Sequence, residues 1–84
     1  MVVRDQKPKN THRIEAYPKT TWLHVTDRTG VPYMCNFERI NCIYESGEGW
    51  AVIKLPDLTI VADSAYKTLV GDLAEKLFLH GYGT

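Results

Sequence analysis

The sequence predicts an α+β fold: a small antiparallel sheet of about five strands, covered by one C-terminal helix and preceded by a polar N-terminal arm. Three observations carry that expectation. Short apolar stretches that alternate with a period of two run between Thr21 and Ala62, broken by glycine- and proline-bearing turns. From Ala65 the apolar period lengthens to about 3.6 residues. Residues 1–20 hold two prolines and few apolar side chains, so they read as an arm, flexible or partly docked through Ile14 and Tyr17, with no secondary structure assigned. The expected organisation is an arm over 1–20 and a single domain over 21–84.

Thr21-Trp22-Leu23-His24-Val25-Thr26 is aromatic, β-branched and alternating, the pattern of a half-buried strand. Asp27-Arg28-Thr29-Gly30 is a turn in which Asp27 starts the reversal and Gly30 accepts a positive φ. Val31 to Cys35 forms the next strand, and Pro32, which cannot donate to a ladder, puts it at an edge. Asn36-Phe37-Glu38-Arg39 is a short connection of about one helical turn. Ile40 to Glu45 is the third strand. Ser46-Gly47-Glu48-Gly49 is a hairpin turn leading to the fourth, Trp50 to Leu55. Pro56-Asp57 reverses the chain into the fifth, Leu58 to Ala62.

Asp63 and Ser64 are both good N-caps for a helix starting at Ala65. Tyr66, Leu69, Val70, Leu73 and Leu77 then form one apolar stripe. Asp72 and Lys76 make a favourable i,i+4 pair off the stripe. Gly71 weakens the helix by about 1 kcal/mol relative to alanine, a cost that close packing would justify. His80-Gly81 supplies the C-terminal stop.

With 84 residues the chain makes one domain, and its modest core gains from shared burial in a homo-oligomer. No apolar run approaches the length of a membrane span. The stretch from Met1 to Lys7 lacks the apolar centre of a signal peptide, so a cytoplasmic protein with reduced Cys35 and Cys42 is expected. Formal net charge is zero, but residues 1–30 carry six Lys/Arg against three Asp/Glu, and residues 31–84 carry four against seven. The arm is mildly basic and the body mildly acidic.

Residues 23–77 resemble the small flagellar and swarming proteins of the FlbD/SwrD type, a look shared by many short phage and bacterial reading frames. The resemblance rests on Val25-Thr26 with Gly30, Asn36 with Ile40 and Ile43, Ile53-Lys54-Leu55, Ile60-Val61, Asp63-Ser64 and the Leu69/Val70/Leu73 stripe. The pattern is also similar to half of a LytTR-type DNA-binding module. Pro56-Asp57-Leu58 replaces the usual Asp-Gly turn, and the long arm is absent from typical members. The resemblance implies the fold and supplies no catalytic residues.

No enzymatic constellation emerges from spacing. Cys35 or Cys42 with His24 is the one nucleophile–base pairing in reach of a common sheet, and small cysteines in strands are usually buried hydrophobes. His12, His24 and His80 follow no metal-binding spacing, so neither a metal nor another cofactor is expected. Gly47-Glu48-Gly49 leads into a strand and lacks the helix N-terminus of a phosphate cradle.

The expected function is a small non-catalytic protein-interaction module, a phage-type adaptor or an inhibitor of a host or defence complex. Ala51, Ile53 and Leu55 share the core face of their strand, which turns Trp50 and Val52 outward as an interface pair, the alternative being an arm folded over them. Trp22, Phe78 and Tyr82 extend the candidate protein-binding set. On this reading Trp50→Ala weakens binding and leaves the fold intact. A second class is a nucleic-acid-binding regulator that uses Arg4, Lys7, Lys9, Arg13 and Lys19 of the arm. A third is a nucleotide sponge whose ligand sits at an oligomer interface beside Arg39.

Overall fold

Each turn chemistry anticipated from the sequence forms, and together the turns set the strand boundaries. The computed structural model describes residues 7–17 and 19–79. Arg4, Tyr82 and the His80-Gly81 stop lie outside them, as does the side chain of Phe78. Strands β1 (Arg13–Ala16), β2 (Thr21–Thr26) and β3 (Pro32–Asn36) make one antiparallel sheet in the order β1-β2-β3. Strands β4 (Cys42–Glu45), β5 (Trp50–Leu55) and β6 (Leu58–Ala65) make a second, in the order β4-β5-β6. Helix α1 (Tyr66–Leu79) follows β6 directly.

The expectation of about five strands in one sheet is therefore corrected to two three-stranded sheets. Two features make the difference. Part of the arm is a strand: Ile14 pairs with Leu23 and, at 7% exposure, joins the core. The chain also changes sheets at a 3-10 turn, Phe37–Arg39, where Asn36 Oδ1 accepts the Glu38 N–H at 2.9 Å. Where the sheets meet, Asp27 bridges Ala62, and the Arg28 N–H donates to Val61 O at 3.2 Å.

Alternation sorts the faces. Ile14, Leu23 and Cys35 stand side by side in the first sheet, as do Ile43, Ile53 and Ile60 in the second. Except for partly buried Ile43, these residues join Val25, Ala51, Ala62, Leu69 and Leu73 in one core. The helix stripe reaches that core through Leu69 and Leu73, both buried, with Tyr66 and Val70 packed beside them. Burying a leucine or isoleucine side chain contributes about 1.5–3 kcal/mol, so this shared core is the main source of stability.

The turns carry their own hydrogen bonds. Asp27 Oδ1 accepts from the Thr29 and Val31 N–H groups at 2.9 and 3.0 Å, and Gly30 adopts φ 98°. Ser46 Oγ accepts from the Glu48 and Trp50 N–H groups at 3.2 and 3.0 Å.

The helix start departs from expectation. β6 runs through Asp63 and Ser64 to Ala65, so neither residue caps α1. Asn10, in the arm, reaches the junction instead: its Oδ1 accepts the N–H of Ala65, the last residue of β6, at 3.0 Å. The Tyr66 N–H donates to Gly49 O at 2.9 Å. The N–H groups on either side of the strand-to-helix junction are thus met by tertiary partners. Asp72 pairs with His12 in place of the expected Lys76. Gly71 is exposed, and a Cβ there would meet nothing within 4 Å, so close packing does not explain it. Among the described residues no helix is long and apolar enough to cross a membrane.

Candidate binding face and basic pocket

The register of the first sheet places two rows of side chains on the face opposite the core. Arg13, His24 and Met34 form one row; Glu15, Trp22 and Asn36 form the next. Met34 is 60% exposed, and Trp22 and His24 are half-buried. Glu15 ties the rows together: Arg13 Nη1 donates to its Oε2 at 2.6 Å, and His24 Nε2 lies 2.9 Å from its Oε1. The His24 hydrogen bond, followed by that of Arg13, holds the Glu15 carboxyl below its ordinary pKa. A groove of about 540 Å3 runs over this face, lined by Arg13, His24, Thr26, Pro32, Tyr33 and Met34 among others. β3 is an edge strand, as Pro32 predicted, and Val31 beside it is 45% exposed.

The outward pair proposed from β5 is corrected. Trp50 and Val52 stand outside the core cluster, as alternation required, yet they are only 5% and 4% exposed. Arg28 covers Trp50, with its guanidinium 4.1 Å from the ring centroid. Val52 sits between Tyr44 and Val61 in the ladder, and those flanking side chains are the exposed ones. Alternation chooses a face; long side chains from neighbouring segments decide whether that face meets water.

Lys7, Lys9, Arg28, Trp50 and Asp63 wall a second cavity of about 280 Å3. The arm is drawn there by backbone bonds. The Lys9 N–H donates to Asp63 Oδ1 at 3.0 Å, and the Asn10 and Thr11 N–H groups donate to Asp63 O at 2.9 and 3.3 Å. The arm's described cations consequently do not form one stripe. Lys7 and Lys9 join Arg28, Arg13 pairs with Glu15, and exposed Lys19 sits in the turn between β1 and β2. Arg39 is exposed on the 3-10 turn and lines neither cavity. A third groove, of about 420 Å3, lies between α1 and the segment from Phe37 to Ile43.

One constellation escaped sequence reasoning. His12 Nδ1 lies 2.8 Å from Ser64 Oγ, and His12 Nε2 lies 2.6 Å from Asp72 Oδ2. A carboxylate only accepts, so Nε2–H donates to Asp72 and, in the neutral ring, Nδ1 accepts the Ser64 hydroxyl proton. The order resembles a Ser-His-Asp relay with the two ring nitrogens exchanged. Ser64 is 0% exposed, so its hydroxyl has no open side for a substrate. The arrangement fastens the arm to β6 and α1. Separations of 52 and 60 residues hid it from any local motif.

The cysteine–histidine pairing does not assemble. Cys35 faces the core beside Leu23, whereas His24 occupies the opposite face. Cys42 is exposed on β4, in the other sheet, and both thiols are free. Burial pushes the Cys35 pKa up and keeps it a thiol. Among the described residues no three His, Cys, Asp or Glu side chains converge as metal ligands. No protein-family model, curated protein or solved structure matches the chain.

Proposed function

We propose that the protein is a non-catalytic interaction module that binds another protein through the outer face of its first sheet. The observation that carries this reading is the row Arg13–His24–Met34, beside Trp22, over an open groove next to an edge strand. Tryptophan, methionine and arginine are enriched at the centres of protein interfaces. An edge strand accepts an extended partner segment by main-chain pairing, and an adjacent side-chain groove supplies specificity. The occupant is therefore an extended segment of another protein, laid along β3 with a side chain over Met34. An adaptor or an inhibitor of a larger complex fits this mode.

The test is capture from host lysate by the whole chain, with and without nuclease, repeated with Trp22→Ala and Met34→Glu. A protein retained after nuclease, and lost with Met34→Glu at an unchanged melting temperature, supports the reading. Met34 is exposed enough that its replacement should change stability by no more than about 0.5 kcal/mol. Equal capture by parent and variants excludes the face. A sedimentation run on the same proteins separates self-association from binding a different chain.

A further inference from the structure

We infer that the pocket walled by Lys7, Lys9, Arg28 and Trp50 binds the phosphate group of a mononucleotide-sized ester. The pocket is lined by three cationic residues and one acidic residue, Asp63, one carboxylate oxygen of which already accepts the Lys9 N–H. Among the described residues no carboxylate forms an ion pair with Lys7 or Lys9. Among the described residues the carboxylate paired with Arg28 is that of Glu48, at 3.8 Å, whose side chain is 77% exposed. That distance is too long for a hydrogen bond. A cleft lined by an excess of one sign of charge attracts a counter-ion of the other.

The arrangement favours phosphate over a carboxylate. Lys7, Lys9 and Arg28 against Asp63 and the outlying Glu48 leave one positive charge in excess, and a guanidinium with two ammonium groups can serve the three free oxygens that a phosphate ester carries and a carboxylate does not. Stacking on Trp50 holds the Arg28 guanidinium in place, and the edge of a stacked guanidinium remains able to make paired N–H bonds to two oxygens of one phosphate. The two ammonium groups serve as movable point charges for the remaining oxygens. A volume of about 280 Å3 falls at the small end of ligand pockets. It accommodates a phosphate with one sugar attached and not an extended ligand.

This inference is independent of the protein-binding face, because the pocket is built from the arm, the β2–β3 turn and the second sheet. It also explains why Lys7 and Lys9, read as strand-binding cations, and Trp50, read as a protein anchor, come together.

The experiment uses the whole chain carrying Trp22→Phe, so that Trp50 alone reports by fluorescence. Inorganic phosphate, adenosine 5′-monophosphate, adenosine and a short thymidine oligonucleotide are titrated at constant ionic strength in sodium chloride. The expected result is a saturable change with phosphate and a stronger one with the monophosphate, and none with adenosine. Arg28→Gln, and Lys7→Ala with Lys9→Ala, should each weaken binding about tenfold or more. Melting curves of the variants verify that they fold. Equal responses to adenosine and its monophosphate, or unchanged affinity in both variants, overturn the inference. Tighter binding of the oligonucleotide with steep salt dependence overturns the mononucleotide assignment and makes the pocket a strand-backbone contact.

Discussion

His12 and Ser64 lie 2.8 Å apart, nitrogen to oxygen, although 52 residues separate them. Ser64 is fully buried and the His12 side chain is 4% exposed, so their bond is shielded from competing water. His12→Ala leaves the Ser64 hydroxyl without this partner and releases the arm from Asp72. An orphaned buried hydroxyl costs about 1–3 kcal/mol. Urea denaturation should show a loss of that size. An unchanged midpoint would mean that the β1–β2 ladder, Ile14 and the contacts of Lys9, Asn10 and Thr11 hold the arm without His12.

Trp50→Ala acts on stability before it acts on binding. The ring is 5% exposed beneath Arg28, and removing it opens a cavity costing about 3–5 kcal/mol. The earlier expectation of an intact fold gives way to this one. Thermal melting should show the largest drop among single variants of the second sheet's outer face. Tyr44→Ala, at a residue 46% exposed, should cost much less.

Gly71→Ala should stabilise the protein by up to about 1 kcal/mol. The position is in α1, is exposed, and offers open space to a methyl group. A rise in melting temperature measures it. A fall would reveal a close neighbour of the helix.

Stability should decline on acidification. Hydrogen bonds from His24 and Arg13 lower the Glu15 pKa from 4.5, and those from the Val31 backbone and the Thr29 side chain lower that of Asp27 from 3.8. Depressed carboxyls bind fewer protons folded than unfolded. Their contribution is complete above the ordinary values and disappears as pH falls through the lowered ones. Melting temperatures measured from neutral pH into that acid range should fall. Glu15→Gln and Asp27→Asn should each flatten the decline, and a slope unchanged in both variants would assign it to other groups.

The local elements were legible because their causes are local. Asp27 and Gly30, Ser46 and Gly49, and Pro56-Asp57 each bend the chain through bonds or φ values within a few residues. The alternation of β5 likewise put Ala51 and Ile53 in the core and Trp50 outside it. Tertiary structure decided the rest. Only the packed chain makes β1 a strand, ties Asn10 to the end of β6, lays Arg28 over Trp50, and joins His12 to Ser64 and Asp72. In each case a side chain or strand finds its partner far along the sequence. Periodicity reports which face a residue takes, and the packing of distant segments determines what it meets there.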